Sequence, residues 1–135
     1  MKNLMVRALA FASGLALAAS PAWADQVHFT GTTTVDQVVI RDTLQNIAQV
    51  AAARGCSQLT AVDATVLPAS YRAPDADQRG DRPGLHYERW DVTLCGSTIP
   101  HLVGFWPAAD GGTMFQITLP YPADAPRAAA EPATS

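Results

Sequence analysis

One segment of this sequence repeats its apolar residues with the spacing of a helix, and the segments after it alternate with the period of a strand. The helical segment covers residues 36–54. Thr34 stands at the N-cap position with Gln37 three residues later, which is capping-box spacing, and Gly55 follows the last turn. The repeating apolar residues are Ile40, Leu44, Ile47, Ala48 and Ala51. Because an amphipathic helix cannot bury its apolar face alone, this one requires a sheet to pack against.

The sheet is predicted from segments with alternating or β-branched residues. In the clearest of them Trp90, Val92 and Leu94 share one face. The segments are 27–35, 57–67, 84–95, 98–106 and 113–119. Short turns join the last three, which predicts an antiparallel meander. We therefore predict an α+β fold with one N-terminal helix packed on a largely antiparallel sheet of four or five strands.

The first 24 residues have the pattern of a signal peptide. Lys2 and Arg7 precede an apolar run of about 12 residues, too short to span a bilayer, and Ala22 and Ala24 form an A-x-A end. We expect cleavage after Ala24 and a periplasmic or secreted location. No cysteine near this point could carry a lipid, so no membrane anchor is expected.

The mature chain is predicted to be a single domain over residues 25–119, followed by a disordered Pro/Ala-rich tail over residues 120–135. Removing Lys2 and Arg7 lowers the formal net charge from −3 to −5. An acidic domain without a basic cluster cannot neutralise a phosphate backbone, so nucleic acid is not an expected partner.

Cys56 and Cys95 are the two cysteines of the chain. In an oxidising compartment the expected arrangement is one intramolecular disulfide. A metal pair and a reactive thiol are the alternatives, and the C-x-x-C spacing that would favour a metal site is missing.

Catalytic motifs are weak. There is no G-x-S-x-G, and we expect neither enzymatic activity nor a cofactor. His86, His101 and Asp91 are the best candidates for a metal or hydrolytic site, although their spacing does not favour one. The polar loop 68–83 includes an Asp-rich run that lacks the ligand set of a calcium loop.

A surface for a partner is the better-supported expectation, because segment 98–106 is apolar on both faces. Either the loop 68–83 or the N-terminal strand covers its second face, or that face contacts a partner. The candidate binding residues on this strand and loop are Leu102, Trp106, Tyr71, Arg72 and Arg79.

The run from Tyr87 to Gly96 is followed by Val103-Gly104-Phe105 and by the Gly111-Gly112-Thr113 turn. This pattern resembles a family of small exported Gram-negative bacterial proteins that have a W-x-V-x-x-C-G strand, an apolar strand and a G-G-T turn. The resemblance implies a periplasmic or secreted location. It brings no known activity and no functional residues.

These observations predict a small exported noncatalytic binding protein of the bacterial envelope or secreted milieu. Its partner would be another envelope or extracellular protein, and the chain would be a monomer or a weak homo-oligomer. The alternative is a small periplasmic metal-binding protein or hydrolase that uses His86, His101 and Asp91.

Intact-mass measurement of the exported protein should give a chain that begins at Asp25. Before reduction the mass should be lower by the two hydrogens lost when Cys56 and Cys95 are joined. A chain that still begins at Met1, or a mass that reduction leaves unchanged, would contradict this expectation.

Overall fold

The computed structural model describes residues 26–74 and 82–127. Along the chain, the helix and strands are β1 His28–Gly31, α1 Gln37–Ala53, β2 Leu59–Val66, β3 His86–Leu94, β4 Ser97–Pro107 and β5 Thr113–Thr118. The predicted signal peptide 1–24, residue Arg79 and tail residues 128–135 lie outside the described residues.

The five strands form one sheet in the order β1-β2-β3-β4-β5. β1 is parallel to β2, and the remaining neighbours are antiparallel. The predicted α+β fold with one helix and a largely antiparallel sheet is therefore confirmed in its broad form. The helix is not the N-terminal element of the described chain, however, because it is the crossover that a parallel strand pair requires.

Local hydrogen bonds define the ends of α1. Asp36 is the N-cap, and its Oδ1 accepts from the N–H groups of Val38 and Val39 at 3.0 Å each. The prediction of Thr34 as N-cap was wrong. At the C-terminal end, Gly55 has a φ of 95° and follows the C-cap, as predicted. Its N–H donates to the carbonyl of Ala52, completing part of a Schellman motif.

One face of the sheet packs against the apolar face of α1. Trp90 and Phe105 are the largest fully buried side chains of this cluster, and their ring centroids lie 6.0 Å apart. The other buried members are Val39, Ile40, Leu44, Ile47, Ala51, Val62, Ala64, Val92, Leu94 and Val103. Burying this set removes the apolar stripe of the helix from water, which is the main favourable term in folding.

The second face of the sheet carries a smaller cluster centred on Leu102 and Tyr87. Two other parts of the chain pack against this cluster: Tyr71 belongs to the segment after β2, and Tyr121 follows β5. Tyr121 lies in the predicted tail, and Ala125 close behind it is buried. Both of these residues fall within the range predicted as a tail, and Tyr121 packs against the second cluster.

A disulfide joins Cys56 to Cys95, as predicted, with their Cα atoms 6.0 Å apart. It links the segment after α1 to the turn between β3 and β4. The carbonyl of Gln58 also accepts a hydrogen bond from the N–H of Cys95 at 2.9 Å. The end of the helix is therefore held to the meander by one covalent bond and one backbone hydrogen bond.

Gly31 ends β1 with a φ of 87°, and a Cβ there would lie 2.0 Å from the carbonyl oxygen of Ala64. We expect Gly31→Ala to lower the free energy of unfolding by about 3 kcal/mol, because backbone on β2 would have to move. Gly55→Ala is the matched control, since Gly55 has a similar φ of 95° and nothing within 4 Å of the added atom.

The control should cost only about 1 kcal/mol in urea denaturation. Equal losses in the two variants would contradict the close approach of β1 and β2.

Candidate ligand-binding site

The C-terminal half of α1 leaves a groove between the helix, the β3–β4 turn with the start of β4, and the segment that follows β5. Its volume is about 510 Å³, within the roughly 300–1,000 Å³ that small-molecule sites occupy. We call it the apolar groove, after its main lining residues: Ile47, Val50, Ala51, Leu94, Ile99 and Leu119. One wall is the regular helix α1, and Ile99 and His101 on the other wall belong to β4.

Val50 on the helix and Ile99 on β4 are both exposed, at 41% and 39%. They are two of the four large apolar side chains that the described residues expose, and both line this groove. Single exposed apolar residues are ordinary, but two that line the same apolar groove place apolar surface on both of its walls. Covering this apolar surface with another apolar group would lower the free energy of the system.

His101 lies at the base of the apolar groove, where it is almost completely buried. Its Nδ1 donates to the carbonyl of Ile99 at 2.9 Å, since a carbonyl oxygen can only accept. Burial lowers the pKa of His101, and the hydrogen bond to Ile99 and the charge of Asp91 only partly oppose that effect. At neutral pH the imidazole is therefore uncharged, and its Nε2 is an acceptor.

Arg54 is the one charged residue that lines the described part of the apolar groove. It is exposed and forms the C-cap of α1. Its guanidinium can meet an anionic or hydrogen-bond-accepting group at the edge of the groove. The groove thus combines an apolar interior with a cation at its margin.

The disulfide forms one end of this groove, since Cys56 and Cys95 both line it. A covalent link at this point holds the helix end at a constant distance from the β3–β4 turn. The predicted structural role of the two cysteines therefore also preserves the width of the groove.

A second polar feature lies beneath the opposite, N-terminal end of α1. Glu88 is fully buried there, and its oxygens accept from the hydroxyl of Thr33 at 3.0 Å and the N–H of Thr34 at 3.3 Å. Burial raises the pKa of Glu88 above its ordinary value of 4.5. The hydrogen bonds, the charge of His86 and the indole N–H of Trp90 offset only part of this rise. The indole N–H of Trp90 favours the ionised form of Glu88 through its dipole, although its nitrogen has no hydrogen-bond partner among the described residues.

The three predicted metal ligands do not converge. His86 pairs with Phe105 on β4, so it lies four residues, or about 13 Å, along the sheet from His101. Asp91 lies on the opposite face, because it alternates with Trp90 along β3. His86 is instead hydrogen-bonded to the hydroxyl of Thr34, in the segment that leads into α1, at 2.7 Å. Within residues 26–74 and 82–127, no group of three or more His, Cys, Asp or Glu side chains could hold a metal ion.

The residues predicted to form a partner surface do not form one exposed surface in the structure. Leu102 is fully buried in the second cluster, so it is not available to a partner. Tyr71 packs edge-on against Tyr87, with ring centroids 5.3 Å apart. Trp106 is half-buried under the guanidinium of Arg82, which lies 4.1 Å from the ring centroid.

Arg72, the remaining described member of that set, is exposed, and its guanidinium donates to the backbone carbonyls of Ala69 and Tyr71. Of the two alternatives for the apolar strand, coverage by neighbouring chain is the one the structure contains. The segments that cover it come from the loop after β2 and from the chain after β5.

Comparisons with protein-family models, with curated proteins and with solved structures gave no match. No helix in the described part of the chain has the length and apolarity that a membrane span requires.

Sequence reasoning missed both the apolar groove and the burial of Glu88. The position of Glu88 was available from alternation, because it shares the face of Trp90 and Val92. The groove has no comparable local pattern, since Val50 and Ile99 become neighbours only when α1 packs on the sheet.

The stability of the protein should depend on the charge of Glu88. Between pH 4.5 and the raised pKa of Glu88, the unfolded chain has released this proton while the folded protein keeps it. The free energy of unfolding should therefore fall as pH rises through that window. Glu88→Gln lacks the titrating group and should lose this decline, as measured by urea denaturation from about pH 4 to about pH 8.

Thr33→Val provides a second measurement, because it removes a donor that favours the ionised carboxylate. It should raise the pKa of Glu88 further and extend the decline to higher pH. Parallel stability curves for the wild type and Glu88→Gln would contradict the prediction.

Proposed function

We propose that the chain is a small exported noncatalytic binding protein of the bacterial envelope or secreted milieu, and that the apolar groove is its ligand site. The observation that carries this proposal is the pair of exposed side chains, Val50 and Ile99, in a groove whose lining is mainly apolar. Leaving them in water is unfavourable, and a bound apolar group would cover both.

The chemistry of the lining suggests the kind of ligand. The apolar walls favour an apolar body, and the neutral imidazole of His101 imposes no buried charge to be compensated. Arg54 at the margin favours an anionic end that stays close to solvent. We therefore propose an amphipathic small molecule with an apolar body and an anionic group.

Export and the nature of the natural partner stay predictions from the sequence. The expectation of another envelope or extracellular protein is compatible with this groove, since an apolar side chain next to a carboxylate has the same chemistry. A small-molecule probe tests the groove without requiring the partner to be known.

Titration with 8-anilinonaphthalene-1-sulfonate, an apolar anion whose fluorescence rises in apolar surroundings, tests the site. The double variant Val50→Thr with Ile99→Thr places a hydroxyl on each wall. It replaces a methyl group of Val50 and the ethyl group of Ile99. It should weaken binding about tenfold, since two apolar contacts are lost.

Val38→Thr is the matched control, because Val38 is exposed at 60% on the same helix and lies outside the groove. Its affinity for the probe should stay within about twofold of the wild type. If the two variants lose affinity equally, or if neither does, the probe does not occupy the apolar groove and the proposed site is wrong.

A further inference from the structure

The other side of α1 faces a second groove, with different chemistry. It lies between the C-terminal half of the helix and the starts of β1 and β2, and its volume is about 710 Å³. Side-chain amides from three separate segments line it. We call it the amide groove, after Gln26, Gln45, Gln49 and Gln58.

These residues are four of the seven glutamines in the chain. The hydroxyl side chains of Ser57 and Thr60 lie beside them, and no charged residue lines the described part of this groove. Each amide offers a carbonyl acceptor and two N–H donors, and each hydroxyl can both donate and accept. A charged ligand would find no counter-charge among these residues. A neutral ligand with many hydroxyl groups would find both hydrogen-bond donors and acceptors.

The amide groove also has an apolar component, formed by Ala48, Ala52 and Leu59. Such small, flat apolar surface suits the C–H face of a sugar ring. It is less suited to a peptide, because Leu59 is the one large apolar side chain among the described lining residues and peptide binding relies on contacts with apolar side chains.

The segment that carries Ser57 and Gln58 is held in place before any ligand arrives. The disulfide fixes Cys56, the residue just before it, and the carbonyl of Gln58 accepts from the N–H of Cys95. The opposite wall is the regular helix α1. Because both walls are fixed, little ordering of the backbone would be lost on binding.

We propose that the amide groove is a second binding site that takes a neutral oligosaccharide. The site is separate from the apolar groove, and the two lie on opposite flanks of α1. That such a ligand would come from envelope glycans rests on the proposed export, but the binding itself does not.

Two-dimensional NMR of the purified chain, following the side-chain amide signals of glutamine, tests the proposal. Tri-N-acetylchitotriose and maltotriose serve as neutral probes, added to about 10 mM so that Kd values of about 1 mM are detected. The signals of Gln45 and Gln49 should shift with probe concentration. The double variant Gln45→Ala with Gln49→Ala should bind the probe about tenfold more weakly, since two hydrogen-bonding groups are removed.

The variant is expected to fold, because both positions are exposed on a helix and alanine is a better helix former than glutamine. Gln37→Ala is the matched control, with the same change on the same helix outside the groove, and it should bind like the wild type. The Val50→Thr and Ile99→Thr variant should also keep glycan binding, so failure of one site is distinguishable from failure of the other.

Three results would overturn the proposal: no shift with either sugar, equal weakening in the Gln37→Ala control, or shifts produced by tetra-alanine and not by the sugars. The last result would identify the groove as a peptide site.

Discussion

The packing of α1 against the sheet around Trp90 is the contact on which the rest of this structure depends. The helix is the crossover between two parallel strands, so its apolar stripe must cross the sheet on one face. A straight helix on a twisted sheet cannot cover the full width of five strands. The surface left uncovered on its two flanks becomes the apolar groove and the amide groove. Both candidate sites are thus consequences of one packing arrangement.

The disulfide between Cys56 and Cys95 stabilises the same arrangement where the helix ends. It closes a chain separation of 39 residues, a loop for which chain-entropy arguments give about 4 kcal/mol of stability. Both candidate sites lie beside it, since the cysteines line the apolar groove and Gln58, whose carbonyl accepts from the N–H of Cys95, lines the amide groove. The same disulfide therefore helps to hold the walls of both candidate sites in place. Rigidity at this point reduces the entropy that either ligand would have to overcome on binding.

Local patterns predicted the elements well, because periodicity and caps depend on neighbours in sequence. The end of α1 at Gly55 follows from a turn that needs a positive φ. The start of the helix did not follow in the same way: Thr34 and Asp36 are both suitable N-caps, and the hydroxyl of Thr34 is bonded to His86, 52 residues away. The two grooves depend on where the helix lies across the sheet. No spacing within a single segment encodes that position.

The two ends of the sheet face beneath α1 have opposite chemistry, and this difference explains why the apolar groove lies where it does. Under the N-terminal end, Glu88 accepts hydrogen bonds from the chain that leads into the helix, and a carboxylate near a helix N-terminus is favoured by the helix dipole. Under the C-terminal end, the corresponding buried titratable group is His101, which burial keeps neutral. A carboxylate there would face the negative end of the dipole without a donor. The C-terminal end is therefore the one that can remain open and apolar, with Arg54 supplying a positive charge where the helix ends.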